Sequence, residues 1–182
     1  DDLKPTIGAY GDSVAVTPQI DRLASEGMRF ESAYCNQSVC MASRYNLMLG
    51  SRSSSTGFYS FGPQFREVYP DAITLPQHFM NNGYVAHSMG KVFHIGHGNT
   101  NDDASWSVPH YKDKVIEYVD PESNHRELTR EEGLFTNQGS RDENGKLRPR
   151  GAAWESPDVL DYAYADARVA EAAVDRLRWL KE

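Results

Sequence analysis

Helix and strand signals alternate along residues 14–95, and this alternation constrains the possible fold more than any other feature of the sequence. Thr17 can cap a helix whose first residue is Pro18 and which ends at Gly27. The segment MRFESAY, residues 28–34, then has the composition of a short strand. Alternating units of this kind favour an α/β fold with helices on both faces of a mostly parallel central sheet.

A second helix is expected behind Cys40, and Gly50 is positioned to end it. Its apolar residues recur with helical spacing, which predicts that Leu47 and Met48 face a core. This helix carries the most informative side chains of the chain at its beginning, so its boundaries matter for function.

The rest of the chain gives two further helices separated by a long polar stretch. Thr74 can cap a helix that is closed at Gly83, and YVAHSMG, residues 84–90, follows as a strand. Residues 96–157 are rich in Asp, Asn, Gly and Pro, which is typical of a functional or disordered loop. Helical periodicity returns from Asp161 to the end of the sequence. One face of that helix is apolar and contains Val169, Ala172, Ala173, Leu177 and Leu180.

Composition narrows the classes of protein to which the chain can belong. Its 182 residues, 39% apolar and 25% charged, suffice for a single hydrophobic core. A net charge of -7 argues against a broad nucleic-acid surface, which needs a basic face. No apolar run approaches the roughly 20 residues of a membrane span. The opening DDLKP does not resemble a signal peptide, so any targeting segment is expected outside this sequence.

The stretch CMASR, residues 40–44, places a cysteine four residues before an arginine at the start of the second helix. This spacing puts Cys40 and Arg44 on one helix face. The free N–H groups and the positive end of the helix dipole lie at the same place, which suits a tetrahedral oxyanion. Spacing alone also fits a buried structural cysteine followed by a surface arginine, and that interpretation is kept for Cys35.

Two other groups of residues are candidates for chemistry. Lys91 and His94 follow the strand predicted at residues 84–90, where α/β folds commonly place ligand contacts. The pair of His94 and His97 is a weak zinc signal because no third ligand accompanies it. Asp1 and Asp2 offer hard oxygen ligands that suit calcium or magnesium, although adjacent acids are often solvated loop residues.

Seven motifs in this order resemble the type I sulfatase family, most closely its iduronate-2-sulfatase-like branch. They cover residues 1 to about 110 and read DDLKPTIGAYGD, TPQIDRLASEGMRFESAY, CMASR, LMLGSR, TLPQHFMNNGY, GKVFH and DDASWSVP. The chain departs from the common C-x-P-S-R form by having Ala42 in place of proline. The spacing from lysine to histidine in GKVFH is one residue longer than in arylsulfatases, and this points to the iduronate-2-sulfatase-like branch.

The resemblance implies an alkaline-phosphatase-like sandwich, of which residues 1–182 would be the N-terminal part, with 96–157 as an insertion. It implies a sulfuric ester hydrolase acting on a sulfated sugar, such as a uronic acid 2-sulfate in a polysaccharide. Three elements of the family pattern are missing from this sequence: a strand before Asp1, a later Asp-Asn or Asp-His pair, and a later histidine or lysine. Related enzymes are lysosomal, periplasmic or secreted, and one of these locations is expected.

The resemblance also implies how the nucleophile is made and held. Cys40 would be oxidised to formylglycine by a formylglycine-generating or sulfatase-maturing enzyme, and the hydrated aldehyde would supply an oxygen nucleophile. Asp1 and Asp2, together with the modified Cys40, would be ligands of calcium.

The remaining implied roles fall on three cationic or titratable residues. Arg44 would orient the hydrated aldehyde and Lys91 would bind the sulfate. His94 would contact the substrate as well and would help to break down the sulfated intermediate. Fixed positive charges around one sulfuryl group would stabilise the negative charge that develops in the transition state. Such electrostatic stabilisation is usually the largest contribution to catalysis.

Alternative functions remain open at this stage. A phosphonate monoester or phosphodiester hydrolase of the same superfamily would bind a similar tetrahedral oxyanion. A non-catalytic carbohydrate-binding relative, or an inactive fragment, would keep Cys40 unmodified. A protein tyrosine phosphatase is disfavoured because its loop has a longer spacing between cysteine and arginine. Four residues of the polar stretch could either stack on sugars or anchor the loop: Trp106, His110, Tyr111 and Trp154.

Overall fold

The chain forms two compact units in the computed structural model. The structure describes residues 4–95, 99–113, 118–124, 143–146, 151–152 and 154–181. The first unit comprises the described residues up to His87 together with Lys91–Val108. The second comprises Ser88–Gly90 and the described residues from Pro109 onward. The candidate site lies in the first unit.

Five α-helices build the described part of the first unit. They are α1 Pro18–Glu26, α2 Cys40–Leu49, α3 Ser53–Thr56, α4 Phe65–Val68 and α5 Leu75–Met80. Short 3-10 helices lie at Gly8–Tyr10 and Asp103–Ser105. The three helices predicted here are confirmed as α1, α2 and α5, although α5 ends at Met80, before the predicted end at Gly83. The single-turn helices α3 and α4 were not predicted, because one turn leaves too few residues for a periodic pattern.

Thr17 precedes α1, as predicted, but its side chain makes no capping bond to the helix. Its hydroxyl oxygen accepts a hydrogen bond from the Gly8 N–H at 3.0 Å, and the hydroxyl donates to Asp21 at 3.1 Å. Asp21 also accepts from the Ala9 N–H at 2.7 Å. A Cβ atom at Gly8 would lie 2.4 Å from the Asp21 carboxylate, so only glycine allows this close approach.

The core of the first unit is aromatic and is organised around α2. Its buried cluster consists of Met41, Ala42, Tyr45, Phe58, Phe65 and Phe93. The Tyr45 ring makes edge contacts with Phe58 and Phe65, each at 5.2 Å between centroids. Met48 packs against the cluster as predicted, whereas Leu47 is 61% exposed, so the prediction that it faces a core was wrong. Gly50, in the left-handed region with φ of 60°, ends α2.

A buried polar network fixes α5 against the segment that follows residue 99. Thr74 and Gln77 form a reciprocal capping box at the start of the helix. The Thr74 hydroxyl meets the Ser105 hydroxyl at 2.6 Å, and Ser105 in turn donates to Asp102. Arg66 donates two hydrogen bonds to Asp102, at 2.6 and 2.8 Å. This bond to Asp102 raises the pKa of the Arg66 guanidinium.

Neither predicted strand appears as a strand among the described residues. The MRFESAY segment contains a turn at Glu31 and Ser32. In the YVAHSMG segment, the Ala86 carbonyl accepts a hydrogen bond from the Ser107 N–H, and the Ala86 N–H donates one to the Ser107 hydroxyl, both at 2.8 Å. A strand is stable only when neighbouring strands complete its ladder. The pairing contacts of the described residues are isolated ones of this kind, such as the parallel bridge between Met89 and Tyr111 in the second unit.

The second unit contains the long terminal helix, α6 Ala165–Lys181, which follows a 3-10 helix at Asp161–Ala163. The predicted helix is therefore confirmed, with its α-helical part beginning four residues later than predicted. Val169, Ala172 and Ala173 are partly buried on one face, whereas Leu177 and Leu180 are exposed. No helix in the described part of the chain combines the length and apolarity needed to cross a bilayer.

Candidate active site

Cys40 is the first residue of α2, as the sequence predicted. Val39 before it is extended, and the first intrahelical bond runs from the Ser43 N–H to the Val39 carbonyl at 2.8 Å. Helix geometry leaves the N–H groups of residues 40–42 without intrahelical acceptors. The partial positive charge of the helix N-terminus therefore lies beside the Cys40 side chain, which is half-buried.

His94 contacts Cys40 directly although 54 residues separate them in the chain. The Cys40 Sγ atom lies 3.3 Å from His94 Nδ1, within hydrogen-bonding distance for sulfur, with the donor set by the histidine tautomer. His94 is only 5% exposed, and the Phe61 ring lies against it at 5.1 Å between ring centroids. An imidazole held at this distance can give a proton to, or take one from, an atom on residue 40.

Arg44 connects α2 to the segment that carries His94. Its Nη1 atom donates to the Lys91 carbonyl and to the Val92 carbonyl, the latter at 3.0 Å. Burial lowers the pKa of the Arg44 guanidinium, and the nearby negative charge of a Cys40 thiolate opposes this effect. A guanidinium remains charged at physiological pH, so Arg44 contributes a fixed positive charge next to Cys40.

The segment from Lys91 to His94 is anchored by Phe93. Phe93 is 1% exposed and packs in the core, stacked on Phe65 at 5.7 Å and edge-on to Trp106 at 5.9 Å. With Phe93 fixed, His94 reaches Cys40 while the Lys91 side chain is exposed to solvent. The structure thus brings together Cys40, Arg44, His94 and the backbone of Lys91.

Cys40 is the predicted metal ligand that lies among the described residues. Asp1, Asp2 and His97 lie outside the described residues. Among the residues that are described, no three His, Cys, Asp or Glu side chains are grouped closely enough to hold a metal ion. Cys40 is the one described member of the predicted calcium set, and a thiol is a poor ligand for calcium, which prefers oxygen. The donor set therefore fits calcium only if residue 40 carries oxygen.

Comparison with known proteins decides the family. The family model described as Sulfatase matches residues 1–181. The chain belongs to the sulfatase family. It is 42% identical over 121 residues to iduronate 2-sulfatase of Homo sapiens, which covers 65% of this chain and 22% of that protein. It is 39% identical over 101 residues to a sulfatase of Formosa agariphila, covering 52% of this chain and 20% of that protein.

A third relative carries a different sugar in its name. N-acetylgalactosamine-6-sulfatase of Sus scrofa is 36% identical over 101 residues, covering 50% of this chain and 19% of that protein. The sulfatase chain thus spans about a fifth of the length of these relatives. Membership of the sulfatase family implies an alkaline-phosphatase-like α/β fold, in agreement with the predicted fold class.

An aromatic residue that was not identified from the sequence borders the candidate site. The aromatic run FYSFGPQF, residues 58–65, brings Phe61 onto His94. The run is visible in the sequence, but which of its rings reach the core depends on tertiary packing. Trp106, one of the aromatic residues predicted either to stack on sugars or to anchor the loop, packs against the core, in agreement with the anchoring role. Trp154 is exposed in the second unit.

Proposed function

We propose that this chain is the N-terminal part of a sulfatase catalytic domain that hydrolyses sulfate esters of sugars, with residues 96–157 as an insertion. The contact of Cys40 with His94 at the N-terminus of α2 carries the proposal, because it places a nucleophile position beside a proton carrier. The family supports the reaction, and two relatives are named for sulfated sugars. The identity of 42% to an iduronate 2-sulfatase favours a sulfated uronic acid in a polysaccharide as substrate.

Local positive charge supports binding of the sulfate despite the net charge of -7. The N-terminus of α2 and the Arg44 guanidinium lie next to residue 40. The exposed Lys91 side chain has a long flexible stem and extends from the segment whose carbonyls Arg44 holds. Donors fixed around the position where negative charge develops stabilise a transition state without reorganising during the reaction.

Formylglycine at position 40, made from cysteine by a maturing enzyme, would supply the oxygen nucleophile. The other residues act on protons and orientation. His94 Nδ1 is positioned to exchange a proton with the atom that replaces Sγ. Arg44 holds the backbone of residues 91 and 92, which keeps His94 at that position. The contribution of such a positioned acid or base is typically about 10²–10⁴-fold in rate.

Calcium is the metal that this arrangement would take. Asp1 and Asp2 would hold it together with an oxygen atom on modified residue 40, and the ion would supply positive charge to the bound sulfate. Asp2→Asn should weaken calcium binding by lowering the ligand charge, as measured by isothermal titration calorimetry. A complete protein that binds zinc in preference to calcium would contradict this part of the proposal.

Two further parts of the proposal concern the central sheet and the location of the protein. We also propose that residues 84–90 form a strand in the mostly parallel sheet of the complete domain. We also expect the protein to be lysosomal, secreted or periplasmic.

The modification can be tested within one peptide that contains its own control. Trypsin releases residues 30–44, which include both Cys35 and Cys40. Mass spectrometry of this peptide from active protein should show an aldehyde at residue 40 and a thiol at Cys35. Cys35 is exposed, so its interpretation as a buried structural cysteine was wrong. An unmodified thiol at Cys40 in fully active protein would overturn the formylglycine mechanism.

The reaction class needs a second measurement. The complete catalytic domain should hydrolyse a sulfated uronic acid faster than a phosphonate ester of matched leaving group. The reverse preference would assign the protein to phosphonate chemistry. Absence of any turnover, together with binding of the sulfated sugar, would indicate a carbohydrate-binding relative.

A further inference from the structure

The aromatic run at residues 58–65 divides into buried and exposed rings. Phe58 and Phe65 belong to the core, with exposures of 6% and 0%. Tyr59 and Phe61 are 55% and 46% exposed. Single exposed apolar residues are common on protein surfaces, so exposure alone says little. The position of Phe61 relative to the site makes it informative.

Phe61 borders the reacting groups. Its ring lies 5.1 Å from the His94 ring, with the two planes inclined at 47°. His94 in turn lies 3.3 Å from the Cys40 sulfur. The partly exposed ring of Phe61 is therefore separated from the nucleophile position by a single side chain.

The segment that carries Phe61 is held in place on both sides. The Gln37 side chain donates to the Tyr59 carbonyl at 2.8 Å, and Gln37 lies only three residues before Cys40. On the other side, the Asn99 side chain donates to the Gly62 carbonyl at 3.1 Å. The backbone on both sides of Phe61 is thus held before substrate arrives, which reduces the entropy lost on binding.

The chemistry of the ring indicates which part of a substrate it can contact. The face of a phenyl ring carries negative potential, so it is unsuited to a sulfate group. It is suited to positively polarised C–H groups, and one face of a sugar ring presents several of these. In a sulfated sugar the ring is joined to the sulfate through one ester oxygen. A sulfate held at residue 40 therefore brings the sugar ring close to Phe61.

We propose that Phe61 is a substrate-positioning residue whose exposed face stacks on the sugar ring of the sulfate ester. This inference rests on the proposed function and deepens it, because it identifies a contact for the organic part of the substrate. It also moves the sugar-stacking role from Trp106, which packs against the core, to a residue beside His94.

The test compares Phe61→Leu with Phe79→Leu in the complete catalytic domain. Phe79 is a matched control because it is 45% exposed, lies in α5 of the same unit and contacts Tyr84 edge-on at 5.3 Å. Steady-state rates with a sulfated monosaccharide give KM and kcat across pH, and inhibition by inorganic sulfate reports on the anion pocket alone. Phe61→Leu should raise KM about tenfold, which corresponds to loss of one aromatic stacking contact. It should leave sulfate inhibition and the pH profile of kcat unchanged, and Phe79→Leu should change none of these.

The possible outcomes separate this inference from the function on which it rests. Wild-type protein that hydrolyses no sulfate ester would refute the proposed function. Wild-type turnover combined with an unchanged KM in Phe61→Leu would overturn the inference alone. A shifted pH profile of kcat at constant KM would also overturn it, because it would show that Phe61 only covers His94.

A second variant keeps the test decisive if Phe61→Leu does not fold. Phe61→Trp enlarges the aromatic face, so its KM should equal or fall below that of the wild type. A KM increase in this variant, with normal inhibition by inorganic sulfate, would count against stacking.

Discussion

The ion pair between Arg66 and Asp102 offers the sharpest test of how the first unit is held together. Asp102 has a side-chain exposure of 6% and Arg66 of 22%, and two hydrogen bonds of 2.6 and 2.8 Å join them. Breaking a buried pair by removing one charge typically costs about 3–5 kcal/mol. Asp102→Asn keeps the shape and one acceptor oxygen, and Arg66 is partly solvated. We therefore expect the variant to lose about 2–3 kcal/mol of unfolding free energy.

The assay is urea unfolding followed by tryptophan fluorescence, to which Trp106 contributes from its position against Phe93. Asp175→Asn is the matched control, because Asp175 pairs with Arg178 at 3.1 Å while both side chains are 75% exposed. That control should cost no more than about 0.5 kcal/mol. If Asp102→Asn loses no more than Asp175→Asn, the argument from burial is wrong.

Three further predictions concern α2. Arg44→Lys should lower kcat about 100- to 1000-fold, because an ammonium group cannot reproduce the fork of the guanidinium, and near-normal turnover would remove Arg44 from the site. Cys40→Ser should react at most once, because its oxygen can attack sulfur and displace the sugar hydroxyl but lacks the second hydroxyl needed for release; repeated turnover would contradict this. Burial raises the pKa of Tyr45 to about 12, so its neutral form adds stability that is complete below pH 10 and is lost as pH rises toward about 12. Unfolding free energy should fall by about 1.4 kcal/mol per pH unit in this range, and an identical slope in Tyr45→Phe would refute the assignment.

Local features of the first unit were predictable from the sequence. The spacing of Cys40 and Arg44 fixes their shared face once a helix begins at Cys40, and Gly50 ends that helix as glycine commonly does. The predicted cap at Thr74 is equally local, since the residue that completes it in the structure, Gln77, is only three positions away. These predictions needed only the geometry of a single helix.

Features that depend on distant parts of the chain were not predictable in the same way. Periodicity identified an apolar helix face but not the direction of the core, which is why Leu47 was wrongly placed in it. Composition did not distinguish Phe58 and Phe65, which are buried, from Phe61, which is exposed. The contact of Cys40 with His94 likewise depends on how the chain returns to α2 after 54 residues. His94 was suggested by the resemblance to a family and not by local spacing. Its contact with Cys40 is set by long-range packing.

The hydrogen bonds of Arg44 have a consequence for how this site tolerates mutation. Arg44 recognises the carbonyls of residues 91 and 92, and every amino acid supplies a carbonyl. Replacing Val92 by another residue of similar size therefore leaves these bonds available. Inserting or deleting a residue between Lys91 and His94 would instead change which side chain faces Cys40. The number of residues in this segment is thus constrained more tightly than the identity of residue 92, and evolutionary drift at that position can proceed without loss of the site.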